Sequence, residues 1–124
     1  MGAFAVKVEV GDPQGQRFEQ DEALVDTGST YSAFPADQLR RLGVTPLEQR
    51  EFLLADGRHV KHDVGQTYMR IDGKAQITVV VFADEGTQPF IGAVTLEEFG
   101  LGIDPVEGTL HPVPGYRLGR RPIA

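Results

Sequence analysis

The sequence predicts a mostly β domain with one or two short helices, and three observations support this. Gly and Pro, 15 and 8 of the 124 residues, divide the chain into short segments. Several segments alternate apolar and polar residues or are rich in β-branched residues. The chain is long enough for one core but too short for two ordinary domains. We therefore expect one closed or sandwich-like sheet.

The first predicted hairpin lies at the N-terminal end of the chain. Residues 3–10 alternate apolar and polar side chains and predict a strand. The segment GDPQG that follows combines Asp-Pro with Gly15, which is typical of a tight turn. Residues 17–25 then predict the second strand.

The segment FPADQLRRLG, residues 34–43, predicts the first short helix. Pro35 lies near the first helical turn, where its missing N–H costs nothing. Leu39 and Leu42 are three residues apart and fall on one face, and Gly43 ends the helix.

Two more hairpins are expected in the middle of the chain. Residues 51–65 have an Asp-Gly pair at 56–57, and residues 67–83 have another at 72–73. The second hairpin contains a continuous β-branched and apolar run over 78–82. Such a run predicts a strand buried on both faces.

The last elements are a short strand, a second helix and a possible final strand. The segment PFIGAVTLEEFGLG, residues 89–102, predicts a strand that enters a helix. Leu96 and Phe99 form the buried face of this helix, and Gly100 ends it. Residues 108–113 are a possible last strand.

Composition argues against several classes of function. The formal net charge is -6 and the pI about 4.9, which suits neither nucleic acid nor an anionic membrane surface. No apolar run approaches the ~20 residues of a membrane span. The N-terminus alternates like a strand and does not resemble a signal peptide. With no Cys, disulfides and thiol chemistry are excluded, and we expect a cytoplasmic protein.

The C-terminal residues 114–124 depart from this acidic composition. They contain Arg117, Arg120 and Arg121, together with prolines that oppose a long regular strand. We expect them to form a flexible basic tail that follows a domain of residues 1–113.

The segment ALVDTGSTYS places a carboxylate between an apolar run and a small polar turn. A strand end of Ala-Leu-Val would deliver Asp26 to the edge of a core, and Thr27 supplies a hydroxyl. Gly28 permits a turn conformation that a Cβ would hinder. Ser29 and Thr30 add donors close to the carboxylate. The simpler alternative is an ordinary β-turn in which the Asp caps backbone N–H groups.

With the residues around it, this loop resembles the catalytic loop of the retropepsin-like aspartic protease family. The resemblance covers roughly residues 3–113 and rests on three features in the family's order. They are the Asp-Thr-Gly loop at 26–28, a hairpin over 52–64, and Phe-Ile-Gly at 90–92 before a short helix. Ala93 departs from the polar residue that the family often has after this Gly.

The resemblance implies an endopeptidase that works through a pair of carboxylates. No second Asp-Thr/Ser-Gly is present, since the nearest candidate, FADEG over 82–86, has Glu between Asp and Gly. We therefore expect a homodimer with two-fold symmetry, in which Asp26 of each subunit forms the pair. Its substrate would be a peptide or protein, and no cofactor or metal is required.

The resemblance also assigns roles to other residues. Thr27, Gly28 and Ser29 would support the catalytic loop, with Thr27 joining the loops of the two subunits. Tyr31 is equally explained as a core or edge aromatic residue. The hairpin over 52–64 corresponds to the flap with which the family covers its substrate, and the alternative is an ordinary exposed hairpin. The expected substrate-binding residues are Thr30, Tyr31, Ala55, Asp56, Gly57, Arg58, Ile91 and Gly92.

Two other readings remain open at this point. The fold could serve as a non-catalytic dimerisation or peptide-binding module, because a fold does not fix a function. An unrelated small β-barrel could also carry the tripeptide by chance. A metal site is not expected, because His59 and His62 are three apart on a predicted strand and point to opposite faces.

Overall fold

The computed structural model describes residues 4–115, which form a mostly β domain with two short helices. The predicted fold class is confirmed at this level, while the dimer remains a prediction. In chain order, the elements of the described residues are β1 (Ala5–Gly11), β2 (Phe18–Val25), β3 (Ser32–Pro35), α1 (Ala36–Arg41), β4 (Glu48–Leu53), β5 (His59–Ile71), β6 (Lys74–Ala83), β7 (Phe90–Ile91), α2 (Ala93–Phe99), β8 (Leu101–Asp104) and β9 (Thr109–Pro112).

Seven strands form the main sheet in the order β1-β2-β7-β3-β6-β5-β4, and β8 pairs with β9 in a separate two-stranded sheet. Strand β1 also pairs with β5, through Glu9 opposite Arg70 and Val10 opposite Met69. The sheet therefore curls so that its first strand meets both β2 and β5. Strand β7 is parallel to β2 and antiparallel to β3, which places it between them.

The three predicted hairpins are present, and their turns explain their sequences. The β5–β6 turn has Asp72 at φ 54° and Gly73 at φ 83°, a left-handed pair that an Asp-Gly sequence tolerates. At the tip of the β4–β5 hairpin, Gly57 has φ 89°. In the β1–β2 turn, Asp12 Oδ1 accepts hydrogen bonds from two backbone N–H groups.

The core lies inside the curled sheet and is closed by the two helices. The predicted helix faces are confirmed, since Leu39, Leu42, Leu96 and Phe99 are all buried. In the run 78–82 every residue is buried except Val79, which is half-buried. Other core side chains are Val8, Val10, Phe34, Met69, Val80 and Ile91.

Strands β3 and β8 are absent from the sequence prediction. Both have only four residues, and β3 follows a polar loop and ends at Pro35. Strand β3 forms because β6 and β7 lie on either side of it and pair with its backbone. Its pairing depends on tertiary context, which a local pattern does not carry.

Neither helix within residues 4–115 is long and apolar enough to cross a membrane. The predicted basic tail falls outside the described residues from position 116 onward, and this includes all three of its arginines.

Candidate active site

The strand topology places Asp26 at the end of β2, where the chain leaves the sheet. Strand β7 pairs with β2 through Leu24 opposite Phe90 and with β3 through Ala33 opposite Phe90. The segment 26–31, which joins β2 to β3, therefore crosses over the end of β7. This brings the Asp-Thr-Gly loop against the Phe-Ile-Gly segment, as the resemblance implies.

Three backbone hydrogen bonds fix the loop to the end of β7 and the first turn of α2. They are spread along the loop, so that its start, middle and end are each attached. Their donors and acceptors are Asp26 N–H to Ile91 O (2.9 Å), Ala93 N–H to Ser29 O (2.8 Å) and Val94 N–H to Thr30 O (3.0 Å).

Gly92 lies directly beneath this loop. A Cβ on Gly92 would be 2.5 Å from both the carbonyl carbon and the oxygen of Tyr31, and 2.9 Å from the oxygen of Ser29. Such distances exclude any side chain, so Gly92 is required by the close approach of two backbones. Ile91 is fully buried. Both residues support the loop from below, and neither lines the cleft described below.

The Asp26 carboxylate is exposed and oriented by its own loop. Its Oδ1 accepts the Gly28 backbone N–H at 3.0 Å, and its Oδ2 accepts the Ser29 hydroxyl at 3.1 Å. The Ser29 N–H also donates to the Asp26 carbonyl oxygen at 3.1 Å. A carboxylate oxygen has two lone pairs, so each oxygen keeps one for a further partner.

The structure gives a different physical reason for a glycine at residue 28 from the one expected in the sequence. Its φ lies outside the left-handed region, so a turn conformation reserved for Gly is not what selects it. Among the described residues other than its chain neighbours, the only heavy atom within 4 Å of a Cβ at this position is Asp26 Oδ1, at 3.2 Å. The small space beside the carboxylate therefore limits the size of the side chain at residue 28. Thr27 is exposed beside it.

A cleft of about 660 Å³ lies between the loop and the β4–β5 hairpin. It begins at Gly28, two residues from Asp26, and its floor is mainly apolar. A small hydrophobic cluster, separate from the main core, forms this floor. The residues lining the cleft are Gly28, Ser29, Thr30, Tyr31, Ala33, Arg50, Glu51, Phe52, Leu53, Leu54, Val60, His62, Val81, Ala83, Asp84, Thr87 and Phe90.

Arg50 and Tyr31 form a polar contact across this cleft. Arg50 Nη1 donates to the Tyr31 hydroxyl at 2.8 Å, and its guanidinium lies 5.3 Å from the centre of the Tyr31 ring. Glu48 accepts from the opposite side of the guanidinium at 2.7 Å. The hydrogen bond with Glu48 raises the pKa of Arg50 above its ordinary value. Tyr31 is thus a cleft aromatic tied to the hairpin.

The tip of the hairpin does not reach the cleft. Ala55, Asp56, Gly57 and Arg58 are all exposed, and none of them lines the cleft. Asp56 instead accepts the backbone N–H of Arg58 at 3.0 Å and its Nε at 2.8 Å. Both hydrogen bonds hold the pKa of Asp56 below its ordinary value, and the bond from the Arg58 backbone has the larger effect. Contact between the tip and a substrate stays a prediction.

The hairpin residues that do line the cleft were missed in the sequence. They are residues 50–54 on β4 and its end, with Val60 and His62 on β5. Among them Arg50, Phe52 and Leu54 are half-buried, whereas Glu51 and Leu53 are exposed. This alternation in burial is the available signal, because residues two apart share one face of a strand. Within residues 4–115, no group of three or more His, Cys, Asp or Glu is placed to hold a metal ion.

Two solved structures resemble this chain. The solution structure of simian foamy virus (mac) protease has a TM-score of 0.55 and 15% identity, and the match covers 77% of this chain and 93% of that protease. A Legionella pneumophila protein of unknown function has a TM-score of 0.56 and 13% identity, covering 83% and 91%. No protein-family model and no curated protein sequence matches.

At such identities the likeness establishes the fold alone. The fold is retropepsin-like, which confirms that part of the resemblance noted in the sequence. Activity and assembly do not follow from it.

Proposed function

We propose that this protein is an aspartic endopeptidase that acts as a homodimer, with Asp26 of each subunit forming the catalytic pair. The observation that carries the proposal is the state of the Asp26 carboxylate. It is exposed, yet its two oxygens are oriented by the Gly28 N–H and the Ser29 hydroxyl. Asp26 itself does not line the cleft, but both of these donors belong to residues that do.

The chemistry requires the second carboxylate. Two carboxylates about 3 Å apart cannot both ionise cheaply, so the pair holds one proton between them. The ionised member accepts a proton from water, which attacks the peptide carbonyl carbon. The protonated member donates a hydrogen bond to the carbonyl oxygen as negative charge develops there. The proton belongs to the pair and to neither residue alone.

The free lone pairs of Asp26 suit this assignment. The hydrogen bonds from Gly28 and Ser29 occupy one acceptor position on each oxygen. The remaining positions can meet the partner carboxylate and the attacking water.

The cleft supports an extended peptide as substrate. Its apolar floor can accept a side chain of a strand, while the β4–β5 hairpin and the Asp26 loop border it on two sides. Strand β4 is at the edge of the main sheet, and one row of its backbone groups has no strand partner among residues 4–115. A peptide can pair with such an edge through its own backbone.

The test is cleavage of a diverse peptide mixture across the range of about pH 3 to pH 8, where an aspartic pair can titrate. Wild type, Asp26→Asn and Asp37→Asn are compared at several protein concentrations. Asp37 is an exposed carboxylate in the first turn of α1, so it controls for the loss of one charge. We expect cuts by wild type and Asp37→Asn only, with specific activity that rises with concentration.

The absence of Asp26-dependent cuts from a folded, dimeric protein would contradict the proposal. It would favour the non-catalytic module, which should keep its affinity for peptides after Asp26→Asn. Activity that is independent of concentration down to a proven monomer would contradict the shared site.

A further inference from the structure

A chain of four hydrogen bonds runs through the protein from the Gly92 amide to Glu98. The Gly92 N–H donates to Ser32 Oγ at 3.0 Å. Ser32 Oγ lies 2.6 Å from Thr95 Oγ1, and Thr95 Oγ1 lies 2.9 Å from Thr78 Oγ1. Thr78 donates to Glu98 Oε1 at 2.6 Å. The three hydroxyl residues are at most 1% exposed, whereas Glu98 is exposed on α2.

The two ends fix the direction of every proton in this chain. A hydroxyl has one proton, and an ionised carboxylate only accepts. Thr78 gives its proton to Glu98, so Thr95 must donate to Thr78, and Ser32 must donate to Thr95. Ser32 is then left with a lone pair toward residue 92, where an amide N–H can only donate. All the groups are satisfied in this one arrangement.

The amide end of the chain lies beneath the Asp26 loop. The backbone of Gly92 contacts that of Tyr31. Its two neighbours form hydrogen bonds with the same loop, since Ile91 O accepts from the Asp26 N–H and the Ala93 N–H donates to Ser29 O. The chain therefore links the exposed end of α2 to the backbone that supports the candidate catalytic carboxylate. It ties α2 to the paired strands β3 and β6.

We propose that Glu98 is a positioning residue, which sets the direction of the hydroxyl chain and thereby holds Gly92 and the Asp26 loop in place for catalysis. This rests on the proposed function. Without an acceptor at residue 98, the buried Thr78 proton loses its partner. Either this proton stays unpaired, or the order of donors reverses and the Ser32 proton faces the Gly92 N–H. Both arrangements leave a buried donor without an acceptor, so the support of the loop loosens.

The first test measures the chain itself, with no need for activity. Glu98→Met keeps the length of the side chain and removes the acceptor, while Glu98→Gln keeps an acceptor oxygen. Glu97→Met is the matched control, because Glu97 is its exposed neighbour on the same helix. Amide hydrogen exchange is followed by NMR at Gly92. We expect exchange about tenfold or more faster in Glu98→Met, and near wild type in Glu98→Gln and Glu97→Met.

The second test separates positioning from stability. For the folded enzyme, Glu98→Met should lower kcat by about tenfold to a hundredfold with KM unchanged, since small displacements of reacting groups are costly. Glu98→Gln should restore most of the activity. Unchanged Gly92 exchange and unchanged kcat in Glu98→Met would overturn the inference. If wild type itself makes no Asp26-dependent cuts, both the proposed function and the catalytic role of Glu98 are wrong. The hydrogen-exchange result still decides whether Glu98 orders the hydroxyl chain.

Discussion

Gly92 packs so closely against Tyr31 that a Cβ at residue 92 would lie 2.5 Å from the Tyr31 carbonyl carbon and oxygen. Gly92→Ala should therefore push the Asp26 loop away from its support. We expect it to lower the free energy of unfolding by about 1–3 kcal/mol, as overpacking of a buried site does. Urea unfolding measures this loss.

Gly28→Ala provides the comparison for that experiment. Beyond its chain neighbours, its Cβ would meet only Asp26 Oδ1 within the part of the chain that the structure describes, at 3.2 Å on the exposed side of the loop. This variant should unfold nearly like wild type and yet lose turnover, because it crowds the carboxylate. An equal loss of stability in both variants would contradict the assignment of Gly92 as the structural position and Gly28 as the active-site position.

The Arg50–Tyr31 contact predicts a non-additive effect on substrate binding. Arg50→Met and Tyr31→Phe each remove the same hydrogen bond between the hairpin and the loop. Each should raise KM roughly threefold to tenfold, with little change in kcat. The double variant should resemble either single variant, since residues in contact do not act independently. Effects that multiply in a double-mutant cycle would show that the two residues act separately.

The placement of the hairpin predicts which of its residues contact substrate. Leu54 lines the cleft, whereas Arg58 at the tip does not. Leu54→Ala should raise KM about tenfold or more for substrates with apolar side chains, as the loss of a hydrophobic contact does. Leu47→Ala is the control, because Leu47 is exposed outside the cleft. A larger effect of Arg58→Ala would instead indicate that the tip closes over the substrate.

Asp12 predicts part of the loss of stability in acid. Hydrogen bonds from the backbone N–H groups of Arg17 and Gln16 hold its pKa below the ordinary value of 3.8. A carboxylate with a lowered folded-state pKa stabilises the fold above its unfolded pKa, and this contribution disappears as the pH falls through the folded-state value. Asp12→Asn should be less stable than wild type at neutral pH, with a difference that narrows below about pH 4.

The control for this measurement is Asp84→Asn. Asp84 is an exposed loop residue whose side chain accepts no hydrogen bond from the described residues. Removing its charge should leave the free energy of unfolding close to that of wild type at neutral pH. If the difference in the free energy of unfolding between wild type and Asp12→Asn stays constant as the pH falls, the proposed role of the Asp12 carboxylate is wrong.

Local patterns predicted most of the strands, both helices and the Asp26 loop. The Asp-Gly pairs at 56–57 and 72–73 located two turns because a left-handed backbone there restricts the residue type. The faces of α1 and α2 followed from apolar residues three apart. Strand β3 was not predicted by any local pattern, because its four residues, which end in Pro, form a strand only between β6 and β7.

The candidate site was predicted where a contiguous motif resembles the family and missed where side chains meet across the fold. The Asp-Thr-Gly loop at 26–28 and Phe-Ile-Gly at 90–92 belong to the first kind. The contact of Arg50 with Tyr31 joins residues on β4 and the Asp26 loop, and Thr78 reaches Glu98 from β6. No local spacing indicates such pairs. The tip residues 55–58 were predicted from the family's order of motifs and lie outside the cleft.

The most direct test of the central claim mixes wild-type and Asp26→Asn subunits at constant total protein, after exchange to equilibrium. If one Asp26 from each subunit completes the site, a mixed dimer lacks the pair. Activity should then follow the square of the wild-type fraction, so that an equal mixture retains about one quarter of the wild-type activity. Activity in direct proportion to the wild-type fraction, about one half in that mixture, would contradict the shared site and place the chemistry within one subunit.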